Sequence, residues 1–380
     1  MDNRPAFALT GAHILAEDHW LDGYAIAIAD GHIQALVPQD RIPSDLAVHD
    51  LGGGLLLPGF IDTQVNGGGG VLFNSDPSVE GIRAIAEAHR QHGTTGLLPT
   101  VISDTPDTIQ SAIAATSAAI GAGVPGVLGI HIEGPYLNAG KRGIHNERHF
   151  GPLDADALTL LTSLANGSTL VTIAPELAPP GAIEQLVAAG VVVSAGHSMA
   201  SYAQMREAIG KGLSGATHLF NAMTNLTARE PGVVGAVLED RDMYYGMILD
   251  GIHVHPASLR IALAAGDLRG AMLVSDGMPP AGSDQTTFFL GDKKIHVVGG
   301  ACRDTEGTLA GSALTMDRAF RNAIEMLGLD MIAASRIASG NPAAFLGLED
   351  VTGCIRPGLQ ADLVLLDEDL RVKQTWIRGV

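Results

Sequence analysis

The chain has 380 residues, 46% apolar and 17% charged, with 48 glycines and 4% aromatics; that allows one large domain plus a small one and suits an α/β protein with many short loops. A formal charge of −18 argues against nucleic acid or an anionic membrane as partner, and an anionic substrate would need a local cationic pocket. Cys302 and Cys354 form no disulfide framework, no stretch approaches the roughly 20 apolar residues of a membrane helix, and MDNRPAFALTG lacks the basic-then-apolar pattern of a signal peptide, so a cytoplasmic location is expected.

From Ala6 to Val37 apolar and polar residues alternate, with turn signals at Asp22-Gly23 and Asp30-Gly31, which predicts small β-hairpins. The insert that follows repeats an apolar strand, a loop and an Ala-rich helix. Eight strand candidates stand in order: LLLPGFID, TTGLLPT, VLGIHIEG, LVTIAPE, VVVSAGH, GATHLF, MYYGMILD and AMLVSDG. Helical patterns such as SVEGIRAIAEAHRQHG, AIEQLVAAG, YAQMREAIGKG and SLRIALAAGD separate many of them. Eight such units predict a parallel (β/α)8 TIM barrel; a doubly wound sheet is the alternative, but no GxGxxG follows the first strand. The C-terminal GCIRPGLQADLVLLDEDLRVKQTWIRGV again reads as strand, turn, strand. The expected organisation is a small β-domain from residues 1–57 and 345–380, interrupted by a barrel over 58–344.

The strand candidates finish in Asp62 with Gln64 and Asn66, then Glu133, His197, His218, His253 and Asp276. One strand-end histidine, such as His218 in SGATHLFNAM, is more often a hydrogen-bonded structural residue than a ligand. An ordered series at the end where barrels carry their catalytic groups outweighs that reading. Glu133, His197 and His218 offer two imidazoles and a carboxylate, the chemistry of a catalytic metal triad with one position open. Without thiolates Zn2+ is favoured, and Fe2+, Co2+ and Mn2+ remain compatible. Asp276, in VSDGMPPAG, is the candidate proton shuttle, against the alternative of an ordinary Asp-Gly turn. After Glu133, GPYLNAGKRGIHNERHFGPL shows little regular pattern and carries Lys141, Arg142, His145, Arg148 and His149, which predicts a substrate-facing loop with His145 reaching the site.

The motifs GFIDTQVNG, HIEGPYLN, GIHN, SAGHS, THLFNAM, AREPG, DGIHVHP, VSDGM, LAGSALTM and PGLQADLVLLD together resemble the N-acetylglucosamine-6-phosphate deacetylases of the amidohydrolase superfamily, in order and over nearly the whole chain. The resemblance implies a (β/α)8 barrel with a small β-sandwich built from both termini. It also implies hydrolysis of N-acetylglucosamine 6-phosphate to glucosamine 6-phosphate and acetate. By the same resemblance Glu133, His197 and His218 are the metal ligands, Asp276 is the catalytic acid/base, and His145, with Ile144 beside it, meets the substrate and polarises the acetamide carbonyl. Asn221, Ala222 and Arg229 correspond to contacts with the sugar phosphate, His253 to a further substrate contact, and Leu309, Ala310 and Gly311 to the pocket wall. On its own residues Arg229 reads instead as a surface partner of Glu230, worth at most about 1 kcal/mol. Many amidohydrolases carry His-x-His after the first strand for a second metal; Gln64 and Asn66 stand there, so one divalent ion per subunit is expected. The resemblance implies a homo-oligomer, dimer or tetramer, whose neighbouring subunit can complete the phosphate pocket. Rival readings are an amidohydrolase acting on a cyclic amide or an N-acetyl amino acid, and a non-catalytic barrel, which the intact triad disfavours.

Overall fold

The computed structural model describes residues 6–380; the first five residues, on which the expectation of no signal peptide partly rests, lie outside the described residues. Eight parallel strands make the central sheet: β1 (Phe60–Val65), β2 (Thr94–Ile102), β3 (Gly129–Glu133), β4 (Ser168–Ile173), β5 (Val192–Ala195), β6 (Gly215–Ala216), β7 (Tyr244–Ile248) and β8 (Ala271–Val274), paired in that sequential order. A parallel bridge between Val65 and Gly277 joins the last strand back to the first, closing the barrel. The strands are apolar runs because both faces are covered, one by the barrel interior and the other by helices. Phe60 of β1 stacks on Phe320 of the helix Met316–Leu327 with ring centroids 5.2 Å apart.

The helices begin where the chain supplies caps. Ser78 accepts from the Gly81 amide ahead of Val79–Arg90, and Ser201 with Gln204 forms a capping box ahead of Tyr202–Gly210. The expected helices at 182–188 and 256–266 are also present.

The termini build two further sheets, one of His32–Pro38, Tyr24–Ala29, Phe7–Thr10 and Ala47–Asp50, the other of Val372–Trp376, Leu363–Leu366, Leu55–Pro58, His13–Ala16 and His19–Leu21. Leu9, Ile26, Ile33, Leu56, Leu363 and Trp376 share one apolar core, so the first and last parts of the chain fold together. LLLPGFID is not one strand. Leu55–Pro58 pairs with Leu363–Leu366 of the small sheet, and after Gly59 the chain enters β1. Its near-continuous apolar text hid that change of sheet.

A four-stranded antiparallel sheet, Thr287–Leu290, Lys293–Val298, Ala301–Arg303 and Leu309–Ser312, follows β8 and was absent from the sequence reading. The signal lay in Gly291-Asp292, a turn between two β-rich runs. A bridge from Gly277 to Ser312 sets its last strand beside the end of β8.

Candidate active site

Glu133 is the last residue of β3, whereas His197, His218 and Asp276 each stand two residues past the ends of β5, β6 and β8. These three have φ of 48°, 37° and 49°, left-handed conformations that cost a non-glycine residue on the order of 1–3 kcal/mol and cluster at functional sites. The backbone turns them toward a common point. His197 Nε2 lies 3.0 Å and His218 Nε2 2.9 Å from Glu133 Oε1, and the two Nε2 atoms are 3.1 Å apart. Among the described residues this is the one cluster of three His, Cys, Asp or Glu side chains with metal-holding geometry, and all three are buried.

The donor chemistry fits a small divalent ion. His197 Nδ1 lies 2.8 Å from the Lys141 carbonyl; donating there, it leaves the Nε2 lone pair facing the cluster. Electron-rich atoms this close repel unless a proton or a cation sits among them. Burial opposes charge on Glu133, yet the His197 and His218 imidazoles packed against it hold its carboxyl well below the usual range. For His218 burial favours the neutral ring, and the bond to Glu133 more than offsets it, so its pKa is raised.

Asp276 Oδ1 accepts from Asn66 Nδ2 at 2.7 Å and from Gln64 Nε2 at 3.1 Å, and Gln64 Nε2 also reaches Glu133 Oε2 at 3.2 Å. Burial, reinforced by the Glu133 charge, pushes the Asp276 carboxyl up to about 6. Ser312 binds the Asp276 carbonyl at 2.9 Å, and Gly311 next to it is indispensable: with φ +65°, a Cβ there would sit 2.8 Å from the same carbonyl oxygen. Asp62, also on β1, does not join the cluster. Its Oδ1 accepts from the Gln64 and Ser275 amides at 3.2 Å each, tying the seam between β1 and β8, and burial raises its carboxyl to about 7.

His145 comes from the irregular loop after β3. Its Nε2 is 3.9 Å from Glu133 Oε1 and its Nδ1 is 2.8 Å from Ser103 Oγ; burial pushes its imidazole down to about 3. A cavity of about 580 Å3 opens over the cluster. Ile144, His145, Asn221, Ala222, His253, Leu309 and Gly311 line it together with the triad and Asp276. His253 is held by Asp250, with Nδ1 2.6 Å from Oδ2.

Two expected pocket residues do not line it. Ala310 is fully buried against Ile144, Met278 and Cys302, because residues alternate faces along a strand and its neighbours Leu309 and Gly311 take the cavity side. Arg229 is exposed and lies outside the cavity. Ser103 and Asp250 carry no signal in the sequence, because their parts depend on which histidine the fold brings near them, whereas Lys141 and Arg142, on the loop expected to face the substrate, do line the cavity.

The family model described as the amidohydrolase family matches residues 55–380. The chain belongs to the amidohydrolase family. A second model, described as the NagA composite domain, matches residues 6–56. The chain is 44% identical to the N-acetylgalactosamine-6-phosphate deacetylase of Shewanella sp. (strain ANA-3), over 97% of this chain and 94% of that protein. It is 37% identical to the N-acetylglucosamine-6-phosphate deacetylase of Bos taurus, over 98% and 92%. The crystal structure of N-acetylglucosamine-6-phosphate deacetylase from Pasteurella multocida superposes with a TM-score of 0.95 at 35% identity, covering 98% of each chain. In this amidohydrolase Gln64, near the end of β1, and Asn66, just past it, donate hydrogen bonds to the carboxylates.

Proposed function

We propose that this chain is an N-acetylglucosamine-6-phosphate deacetylase, hydrolysing the acetamide to glucosamine 6-phosphate and acetate. The observation that carries the reading is the convergence of Glu133, His197 and His218 within 3.1 Å of one another, with Asp276 held beside them by Gln64 and Asn66. The two imidazoles and one carboxylate would hold a single divalent ion, Zn2+ by the two-histidine, one-carboxylate donor set that catalytic zinc sites use, with Fe2+, Co2+ and Mn2+ accepting the same donors. When bound, such an ion polarises a carbonyl and lowers the pKa of water from about 15.7 towards roughly 7. Asp276 takes the proton of the attacking water and returns it to the departing amine nitrogen. His145 donates to the carbonyl oxygen as it gains negative charge.

Asn221 and Ala222 meet the sugar phosphate, and His253, Ile144, Leu309 and Gly311 meet the sugar, with Ala310 supporting the wall from behind. Arg229 reaches the phosphate from a second copy of the chain, which agrees with its exposure outside the cavity; a guanidinium binds phosphate through paired charge-assisted hydrogen bonds. The β-sandwich over 1–57 and 345–380 and the barrel over 58–344 are the two domains of this reading. No helix among the described residues is long and apolar enough to cross a membrane, which agrees with a cytoplasmic place.

Acetate release, measured on N-acetylglucosamine with and without its 6-phosphate, on N-acetylgalactosamine 6-phosphate, and with and without chelator, tests the reading. Chelator-sensitive release from N-acetylglucosamine 6-phosphate is expected. Equal rates on the unphosphorylated sugar would remove the phosphate assignment, and a strong preference for the galactose epimer would move the substrate to that ring.

A further inference from the structure

Ser103 follows the last residue of β2 and has no part in the roles assigned above. Its Oγ lies 2.8 Å from His145 Nδ1, both side chains are buried, and among the described residues the hydroxyl has no other hydrogen-bond partner. The contact is tightly confined: a Cβ added at Gly134 would stand 2.3 Å from Ser103 Oγ. The other ring nitrogen, Nε2, faces the triad 3.9 Å from Glu133 Oε1, and the His145 and His197 ring centroids are 4.3 Å apart.

A neutral imidazole carries one N–H, and its two arrangements are not equivalent here. If Nδ1 kept the proton and gave it to Ser103 Oγ, the hydroxyl proton would lack a protein acceptor. Nε2 would then turn a lone pair on the Glu133 oxygen that the two ligand histidines already approach. If Ser103 gives its proton to Nδ1, the hydroxyl is satisfied, Nε2 carries the hydrogen, and that hydrogen points at the oxygen-rich centre. We propose that Ser103 is a positioning residue that fixes His145 in the Nε2–H tautomer, making it a hydrogen-bond donor over the triad and not a further ligand. The proposal deepens the deacetylase reading, in which His145 donates to the substrate carbonyl, and rests on it for the catalytic consequence alone.

The test uses the full-length, zinc-loaded enzyme with 15N-labelled histidine, the His145 signals being assigned from their loss in H145Q. In the unsubstituted chain Nδ1 is expected to be unprotonated and hydrogen-bonded and Nε2 protonated. In S103A that signature should be lost and kcat should fall about tenfold, the lower end for groups that orient a site histidine, with KM and bound zinc little changed. A protonated Nδ1 in the unsubstituted chain, or S103A with unaltered tautomer and kcat, overturns the proposal. An unsubstituted chain that releases no acetate refutes the deacetylase reading instead, and the tautomer signals then decide the role of Ser103 by themselves.

Discussion

Asp276 shows how much one side chain depends on its neighbours. Two neutral amides, Gln64 and Asn66, aim their NH2 groups at it, while burial and the Glu133 charge push its carboxyl up to about 6. Asp276→Asn keeps the shape and removes the proton acceptor, so kcat should drop at least about 100-fold with metal content unchanged by elemental analysis. Near-normal turnover in that variant would reject the assigned role. The same carboxyl sets the acid limb of the pH profile. It serves as a base only when ionised, so kcat/KM should fall as pH drops through its pKa, and a cation in the triad can only lower that value. The limb therefore belongs at or below about pH 6, and a free-enzyme limb above pH 7 would point to another group.

At the scale of elements, the ligands are placed by strand contacts that leave no room for a larger residue. Gly129 opens β3, the strand that ends in Glu133, and a Cβ there would lie 1.9 Å from the Ser168 carbonyl oxygen on β4. Gly129→Ala should force the two strands apart and cost about 2–3 kcal/mol, read as a lower urea midpoint together with weaker metal retention. Gly121, the last residue of the helix Pro106–Gly121, has nothing within 4 Å of an added Cβ, so Gly121→Ala should leave the midpoint unchanged or raise it slightly. The strand-and-helix alternation was readable because periodicity and caps are local. The boundary inside LLLPGFID was not, since Leu55–Pro58 and the Phe60-Ile61 start of β1 are alike apolar and differ in the sheet they join.

For the whole molecule, a ligand that binds only the folded state stabilises it by mass action, and the triad ties β3 to β5 and β6, which come well after it in the chain. Removing the ion with chelator should abolish acetate release and lower the Tm. At a free metal concentration 100 times Kd the difference is about 2.7 kcal/mol. One equivalent of zinc should restore both; two tightly held equivalents would contradict the reading of Gln64 and Asn66 as hydrogen-bond donors in place of ligands.

Taken alone, the amino-acid order determined the kinds of element, their succession, and the chemical character of the groups at the strand ends, because hydropathy period, capping residues and donor type are written within short windows. It also carried the family, through motifs spread along almost the entire chain. Only the folded chain decided that His197, His218 and Asp276 meet Glu133, that Ala310 turns away from the cavity, that Arg229 lies outside it, and that Ser103 stands against His145. The first follows from barrel closure and from left-handed backbone angles at three residues, and the others from where each strand and loop is set against its neighbours; all arise from contacts between segments that no local window contains.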